Sequence, residues 1–577
     1  MFDPRGIIAD LLVPSMPFDS RRRFLEWGAG CRAAGAVELS PAHGEVLAMA
    51  ASDIRTGEIS ASAIPDEFNA ATYFVDRNVD EGRGDRVAIE CGDQRITYRQ
   101  VLQRVNQFGN ALKERLGVRM EERVLLLLLD CPEYAYCFFG AIKIGAVPIP
   151  TSTLFKPADY EYILNDSRAR VVVVSQALLP QLEAIPRQRL RYLRDIIVVG
   201  DAPAGTHAFD ELVDGASAEL EAEPTSKDDT AFWLYSSGST GAPKGCVHLQ
   251  HDMLVCAELY ARGVLGINQG DRCYSVAKLF FAYGLGNALY FPFGVGATTI
   301  LFPGPPTPAN VFDVVRTHRP TLFFSVPTNY AMLLASPDEC DFSSVRWGVS
   351  AGEALPPAVF ERFQSRFGVT ILDGIGSTEV LHIFVSNQPG AIRPGSSGKP
   401  VAGYQARIVD DDEQPVAVGA IGNLLISGDS TCAMYWNKHA KTRETIVGSW
   451  IRTGDKYSQD ADGFLWYAGR GDDMLKVGGI WVSPVEVENA LIEHPAVLEC
   501  GVVGRQDRDQ LVKPQAYVVC APGYGGSPEL ARELQEFVRA RLAEYKRPRW
   551  VEFVAELPKT GTGKTQRFKL RQQAWIT

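Results

Sequence analysis

Short runs of entirely apolar residues, separated by helical stretches, constrain the fold of this chain more than any other feature. Residues 124–129 read VLLLLL, residues 171–174 read VVVV and residues 196–199 read IIVV. A strand that is apolar at every position is buried on both faces, and such strands occur in parallel sheets covered by helices on both sides. The pattern therefore predicts an α/β protein built on parallel sheets.

The length of the chain and its changes of composition predict several domains. At 577 residues the chain is too long for one core. Residues 1–65 are short pieces punctuated by Pro and Arg, which predicts a poorly ordered N-terminal extension. Residues 66–469 form the predicted large domain, with a small β subdomain around 395–427. Residues 470–577 are compact and charged, which predicts a small, mobile α+β domain.

Local patterns near the start of the large domain predict a hairpin followed by a helix. Two strand-like runs flank Gly92 and Asp93, which are typical turn residues. Thr97 is placed to cap the helix that follows. The apolar positions of this helix recur at helical spacing: Val101, Val105, Phe108 and Leu112.

Charge and cysteine usage exclude several classes of protein. The net charge of −11 argues against a nucleic-acid or anionic-membrane surface. The 11 cysteines form no C-x-x-C pair and no zinc-like cluster, which indicates a reducing compartment without a structural metal. No apolar run reaches the roughly 18 residues of a membrane span, and no secretory signal is evident. We therefore expect a cytoplasmic protein that binds neither nucleic acid nor membrane.

The segment 235–248, YSSGSTGAPKGCVH, is the strongest local signal for a ligand. Its glycines allow backbone N–H groups to converge on an anion, its hydroxyls add donors, and Lys244 adds a positive charge. It differs from the common P-loop because Lys244 is followed by Gly245. The alternative is a flexible surface loop. The candidate phosphate-binding residues are Ser236, Ser237, Gly238, Ser239, Thr240, Gly241 and Lys244.

Two further motifs carry acidic residues suited to a nucleotide. In DGIGSTE, residues 373–379, glycines bracket a predicted turn that presents Thr378 and Glu379. Mg²⁺ takes one or two carboxylates together with phosphate oxygens, so Glu379 is a candidate ligand. In WIRTGDK, Asp455 could accept hydrogen bonds from a ribose diol. The alternatives are a turn with a solvated acid and an aspartate in a tight turn.

The C-terminal part contains two more motifs. In YAGRGDDMLKVGG, Arg470 offers a planar fork for phosphate or ribose oxygens, Asp472 could serve a hinge, and Gly478-Gly479 permits close approach of the backbone. In PKTGTGK, a Gly/Thr-rich loop could swing Lys564 onto a distant site. The alternatives are a charged surface turn and a solvated tail lysine.

These five motifs, in this order, resemble those of the adenylate-forming superfamily. The superfamily includes acyl- and aryl-CoA synthetases, luciferases and peptide-synthetase adenylation modules, and the resemblance covers residues 66–577. Longer strings are similar to the benzoate–CoA ligases and their hydroxybenzoate relatives: KLFFAYGLGNALYFPF, SAGEALP, DGIGSTEVLHIF, MYWNK and DDMLKVGGIWVSPVEVE.

The resemblance implies two half-reactions with ATP, Mg²⁺ and coenzyme A. A carboxylate attacks the α-phosphorus of ATP to form an acyl-adenylate and pyrophosphate, and the thiolate of coenzyme A then displaces AMP. Thr378 would contact the α-phosphate, Glu379 would bind Mg²⁺, and Lys564 would bridge the carboxylate and the α-phosphate. The candidate phosphate-binding residues in 236–244 would hold the β- and γ-phosphates, Asp373 and Gly374 would flank adenine, and Asp455 and Arg470 would bind the ribose. Asp472 would be the hinge of the small domain, and Gly478 and Gly479 would line the coenzyme A tunnel.

The acyl pocket is expected between the FFAYG segment and the loop after GSTE. Small residues leave room for a flat ring, and Tyr283 offers an aromatic wall, although both it and His382 could instead be ordinary core residues. The candidate lining residues are Ala282, Tyr283, Gly352, Ile375 and His382.

The resemblance implies ligation of benzoate to coenzyme A, and alternatives remain open. The same chemistry could act on hydroxybenzoate or 2-aminobenzoate, because one hydroxyl discriminates strongly only where a site is built to bond it. An adenylation enzyme that loads a carrier protein and a non-catalytic nucleotide sensor are further alternatives. Intact Lys564, Glu379 and Asp455 count against the sensor. By analogy with similar enzymes, a homodimer is expected.

Overall fold

The computed structural model describes residues 59–236, 242–477, 480–508, 511–559 and 565–576. Of the predicted N-terminal extension, residues 1–65, it describes only the end. Ile59 and Ile64 are buried there in the main hydrophobic core. The prediction for residues 1–58 lies outside the described residues.

The hairpin predicted around Gly92 is confirmed. After helix α1 (Arg77–Asp80), strands β1 (Val87–Cys91) and β2 (Gln94–Thr97) pair antiparallel. Gly92 has a φ of +56°, a conformation that glycine adopts at little cost.

The capping of the next helix is also confirmed. Helix α2 (Tyr98–Asn110) begins after Thr97, whose hydroxyl accepts a hydrogen bond from the Gln100 amide, while the Gln100 side chain binds the Thr97 amide in return. The predicted apolar positions pack into the core and are fully buried: Val101, Val105, Phe108 and Leu112.

The apolar runs form a parallel sheet with strand order β4-β3-β5-β6-β7. Its strands are β3 (Arg123–Leu127), β4 (Val147–Pro150), β5 (Val171–Ser175), β6 (Asp195–Val199) and β7 (His207–Ala208). The connecting helices are α3 (Pro132–Lys143), α4 (Pro157–Ser167) and α5 (Leu179–Glu183), and helix α6 (Phe209–Asp214) follows β7. Both faces of β3 and β5 are buried, as the sequence predicts.

The two described ends of the predicted phosphate segment lie on a β-hairpin. Strands β8 (Thr230–Ser236) and β9 (Lys244–Leu249) pair antiparallel, and Ser236 faces Lys244 at the end where the chain passes from β8 to β9. Helix α7 (Asp252–Cys256) follows.

The second sheet has the order β16-β15-β14-β13-β12-β10-β11-β1-β2. It is parallel from β14 to β1 and antiparallel at both edges. Its further strands are β10 (Arg272–Ser275), β11 (Thr298–Leu301), β12 (Leu322–Ser325), β13 (Trp347–Ser350), β14 (Ile371–Gly376), β15 (Ile383–Ser386) and β16 (Lys399–Pro400). The helices are α8 (Ala282–Leu285), α9 (Phe291–Val295), α10 (Pro308–His318), α11 (Pro327–Ala335) and α12 (Pro357–Phe367).

The predicted β subdomain is confirmed and extends to Arg470. Its strands pair antiparallel: β17 (Gln405–Val409), β18 (Gly422–Ser427), β20 (Ile446–Val447), β21 (Trp450–Gln459) and β22 (Leu465–Arg470). Strand β19 (Met434–Tyr435) instead joins β9 of the hairpin, and helix α13 (His439–Thr445) follows it.

A turn at Gly471–Asp473 leads into the C-terminal α+β segment, which has its own apolar core. Its strands are β23 (Leu475–Val477), β24 (Ile480–Val482), β25 (Val497–Gln506), β26 (Val512–Cys520) and β27 (Trp550–Phe553). Its helices are α14 (Pro484–Ile492), α15 (Pro528–Arg539) and α16 (Arg567–Ile576). Within the described ranges, no helix is long and apolar enough to cross a bilayer.

Candidate active site

The connected end of the β8–β9 hairpin, where Ser236 faces Lys244, meets the GSTE segment. The Ser236 hydroxyl lies 3.4 Å from Oε1 of Glu379, and the Tyr435 hydroxyl donates a hydrogen bond to the same oxygen at 2.7 Å. The Lys244 ammonium lies 4.5 Å from the centroid of the Tyr435 ring. The structure therefore brings a hydroxyl, an ammonium and a carboxylate together, which are groups suited to a phosphate and its counter-ion.

The turn that carries Thr378 and Glu379 is supported by a buried pair of side chains, His248 and Asp252. Nε2 of His248 donates to the Thr378 carbonyl at 2.8 Å, and Nδ1 lies 2.7 Å from Oδ2 of Asp252. The His248 and Asp252 side chains are fully buried. A carbonyl can only accept, so Nε2 carries a proton. The sequence analysis assigned no role to this pair, although a His and an Asp four residues apart beside the phosphate motif were a visible signal.

The turn expected at residues 373–379 is shorter than the sequence suggested. Residues 373–376 continue strand β14, and only the segment after them turns. The glycines serve close strand packing: a Cβ at Gly374 would lie 2.7 Å from the Val385 carbonyl, and one at Gly376 would lie 2.6 Å from the His382 carbonyl. Side chains at these positions would push β15 away.

Asp373 is a buried carboxyl group within β14. It is 5% exposed and faces Ser350 of β13 across the sheet. Burial raises the pKa of Asp373 to about 8. Its Oδ1 accepts no hydrogen bond from the described residues. At neutral pH the group is therefore largely protonated and can both donate and accept a hydrogen bond.

Asp455, in the middle of β21, forms a pair with Arg470 at the end of β22. They are cross-strand partners, and NH1 of Arg470 donates to Oδ1 of Asp455 at 3.1 Å. Burial opposes the charge on Arg470, but the carboxylates of Asp455 and Glu379 outweigh it and raise the pKa of Arg470. A carboxylate beside a fixed guanidinium is suited to the hydroxyls of a ribose near a phosphate.

A cavity of about 130 Å³ lies beside Thr378. It is close in size to the roughly 150 Å³ cavity that holds benzene in another protein. Four of the five predicted pocket residues line it: Ala282, Tyr283, Gly352 and His382. Ile375 is not among its lining residues and packs against the main core. The lining residues that the sequence analysis missed are Ala277, Phe281, Val326, Ala351, Gly376, Ser377, Leu381 and Ile383.

Tyr283 and His382 have different polar roles in this cavity. The Tyr283 hydroxyl donates to backbone carbonyls, with the Val349 oxygen at 3.1 Å, so the residue acts as an aromatic wall. Burial lowers the pKa of His382 to about 3, so its ring is neutral. Nε2 lies 3.1 Å from Oδ1 of Asn287, which places the proton on Nε2. Nδ1 is thus an acceptor, and the described residues offer it no donor.

Several predicted site residues lie outside the described residues: Ser237, Gly238, Ser239, Thr240, Gly241, Gly478, Gly479 and Lys564. The two ends of the segment that carries Lys564 are described, and Lys559 pairs with Thr565. The Thr565 amide donates to Oε1 of Glu353 at 3.2 Å. Glu353 adjoins Gly352 of the cavity lining, so the ends of this segment lie beside the site. Asp472 lies in the turn after β22.

Glu379 suits Mg²⁺ better than a metal ion that is coordinated entirely by protein side chains. In the described ranges, no group of three or more His, Cys, Asp or Glu side chains could hold a metal ion. Mg²⁺ commonly takes one or two carboxylates and completes its shell with water and phosphate oxygens. The residues present fit an ion that arrives with a nucleotide.

Comparisons with known proteins agree with this geometry. Residues 75–436 match the family of AMP-binding enzymes, and residues 486–564 match the AMP-binding enzyme C-terminal domain. The chain belongs to the AMP-binding enzyme family. The predicted superfamily, the fold class and the assignment as an enzyme are thereby confirmed.

Three relatives within the family are named as ligases of aromatic acids. The benzoate–CoA ligase of Thauera aromatica is 52% identical, over 89% of this chain and 97% of its own. The crystal structure of anthranilate CoA ligase AuaEII in complex with anthranoyl-AMP has a TM-score of 0.87 and 48% identity, over 89% of this chain and 99% of its own. A benzoate CoA ligase from Burkholderia xenovorans LB400 has a TM-score of 0.81 and 46% identity, over 87% and 100%.

Proposed function

We propose that this protein ligates benzoate to coenzyme A through a benzoyl-adenylate, and that it releases AMP and pyrophosphate. The observation that carries the proposal is the cavity, which has the size of one aromatic ring and has Thr378 in its wall. A ring held in the cavity against Tyr283 and His382 could place its carboxylate at Thr378, where the α-phosphate would lie.

Adenylation brings two anions together, so positioning and neutralisation of charge should supply most of the catalysis. A carboxylate oxygen attacks the α-phosphorus, and the bond to the pyrophosphate oxygen breaks. Lys244 and the hydroxyls of the hairpin would hold the β- and γ-phosphates. Glu379, oriented by Tyr435, would hold Mg²⁺, which neutralises phosphate charge. Lys564 would neutralise the carboxylate and the α-phosphate.

The nucleoside would lie between two parts of the site. Asp373 and Gly374 would face adenine, and the protonated Asp373 could both donate to it and accept from it. Asp455 and Arg470 would bind the ribose. A rigid carboxylate–guanidinium pair needs little reordering when the sugar binds.

The second half-reaction needs a different arrangement of the small domain. The thiolate of coenzyme A attacks the acyl carbon, the bond from that carbon to the bridging oxygen breaks, and AMP leaves with this oxygen. We propose Asp472 as the hinge for the change, with Gly478 and Gly479 lining the path of the thiol. The rotation would withdraw Lys564 when its role in adenylation is complete.

A ring with a donor substituent is the second candidate substrate. Nδ1 of His382 is a buried acceptor without a donor among the described residues. An unpaired buried acceptor carries a desolvation cost that a hydroxyl or amino group of a substrate would remove. This favours hydroxybenzoate or 2-aminobenzoate over other variants of the substrate.

Pyrophosphate release tests the proposal. The assay compares benzoate, hydroxybenzoates, 2-aminobenzoate and a medium-chain fatty acid, with ATP and Mg²⁺, and with or without coenzyme A. Steady turnover of benzoate only with coenzyme A supports the proposal. Preference for a substituted ring would establish the second candidate. Turnover that does not depend on coenzyme A would contradict both and would indicate a carrier-loading enzyme.

A cytoplasmic location, expected from the composition of the chain, and a homodimer, expected from the resemblance, remain predictions. Light scattering of the purified protein measures its oligomeric state directly.

A further inference from the structure

The last helix of the chain is fixed firmly to the small domain. Leu570 and Ala574 of α16 are almost fully buried against Tyr517 and its neighbours. The Tyr517 hydroxyl donates to the Leu570 carbonyl at 3.3 Å. Helix α16 therefore moves with β25 and β26.

Arg571 reaches from this helix to the turn after β22. Its NH1 donates to the Asp472 carbonyl at 2.7 Å and to Oδ1 of Asp473 at 2.9 Å. The Asp473 side chain is 13% exposed and that of Arg571 33% exposed, so the bonds are only partly screened by water. Together they hold the peptide group that joins Asp472 to Asp473.

A second arginine of the same helix supports this arrangement. Arg567 makes two hydrogen bonds to the Glu488 carboxylate, at 3.2 and 2.7 Å, and its NH1 lies 3.7 Å from Oδ2 of Asp473. Glu488 also accepts a hydrogen bond from the Val502 amide at 2.7 Å. Asp473 thus lies between two cations that belong to the small domain.

We propose that Arg571 is a positioning residue that confines the rotation of the small domain to Asp472. The proposal rests on the hinge role proposed for Asp472. Rotation about φ or ψ of Asp472 moves everything from its carbonyl oxygen onward. Arg571 of α16 binds both the Asp472 carbonyl and the Asp473 side chain, so its bonds persist in either orientation of the small domain. The backbone just after Asp472 therefore cannot bend separately from the small domain.

The same helix links the hinge to the lysine. Helix α16 begins three residues after Lys564, and Arg571 lies about 6 Å further along its axis, at 1.5 Å per residue. Helix α16 therefore connects the peptide group between Asp472 and Asp473 to the segment that carries Lys564. The position of Lys564 would therefore change whenever the backbone angles of Asp472 change.

The test compares the full chain with Arg571→Ala, Arg571→Lys and Asp473→Ala. Hydrogen exchange of the amides in 471–477 should become about tenfold faster in Arg571→Ala, because a charge-assisted bond is lost, while β25 and β26 keep their protection. Pyrophosphate release without coenzyme A, and thioester formation from supplied benzoyl-AMP, should both slow by a similar factor, about tenfold. The KM values for ATP and the acid should stay unchanged, and Arg571→Lys should restore part of the rate.

The controls separate this role from general stability. Arg541→Ala removes a partly exposed ion pair with Glu493 elsewhere in the small domain and should leave both half-reactions unchanged. Adding Asp473→Ala to Arg571→Ala should have little further effect on either rate. Unchanged exchange in 471–477, or slowing of one half-reaction alone, would overturn the proposal. If the wild-type chain fails to activate benzoate, the proposed function falls, but the exchange measurement still decides the role of Arg571.

Discussion

The substitution Tyr435→Phe tests whether Glu379 binds Mg²⁺ and whether Tyr435 orients it. The Tyr435 hydroxyl donates to Oε1 of Glu379 at 2.7 Å, and Tyr435 is 2% exposed. The substitution removes one oxygen and keeps the ring, so the cation–π contact with Lys244 remains.

The expected size of the effect follows from the type of hydrogen bond. A hydrogen bond to a charged group contributes about 1.5 to 3 kcal/mol. Since about 1.4 kcal/mol corresponds to a factor of ten, the loss corresponds to about 10- to 100-fold. Loss of a group that orients a metal ligand typically weakens metal binding by a similar factor, about 10- to 100-fold. The Mg²⁺ concentration for half-maximal adenylation should therefore rise by that factor.

The assay is a Mg²⁺ titration of pyrophosphate release at saturating ATP. The rate of Tyr435→Phe should approach the wild-type rate at high Mg²⁺. Tyr98→Phe is the matched control, because the Tyr98 hydroxyl also donates a buried hydrogen bond, to the Ala297 carbonyl. It should leave the Mg²⁺ dependence unchanged. An unaltered Mg²⁺ dependence in Tyr435→Phe would refute the proposed orientation of Glu379.

Three other predictions address the lysine, the buried acid and the N-terminus. Lys564→Ala should abolish adenylation but leave thioester formation from supplied benzoyl-AMP largely intact, and equal loss of both would contradict its role. The pKa of Asp373 is raised to about 8 by burial, so the native state holds a proton that the unfolded state loses above pH 4. Stability conferred by this group should fall as pH rises from about 4 to about 8, by at most about 6 kcal/mol. Asp373→Asn should not show this loss, which thermal unfolding of both proteins at pH 5 and pH 8 measures. A difference in stability between the two proteins that is the same at both pH values would contradict the prediction. Removing residues 1–48 should leave activity and thermal stability nearly unchanged, and a large loss of either would show that they are part of the fold.

The sequence predicted the sheets better than the contacts within the site. Runs such as residues 171–174 are apolar on both faces, and that property alone requires a parallel sheet covered by helices. Thr97 predicted a helix start because capping is a local interaction.

Contacts between distant segments were beyond local patterns. The bond from Tyr435 to Glu379 depends on β19 pairing with β9, and no spacing in the sequence reveals that pairing. The glycines of β14 were read as turn residues, because close packing and a turn both demand glycine. The role of Nε2 in His382 depends on Asn287, which lies on another segment.

The elements that surround the cavity differ from those that would hold the triphosphate. The cavity is walled by residues around α8 and by those after β12 and β13, whereas Ser236, Lys244 and Tyr435 belong to the small sheet of β8, β9 and β19. The two groups of elements meet at the segment containing Thr378. Substitutions near α8 can therefore alter the choice of acid while the machinery for ATP stays intact. Such a division allows one scaffold to diversify its substrates through a few side chains and to keep one chemistry.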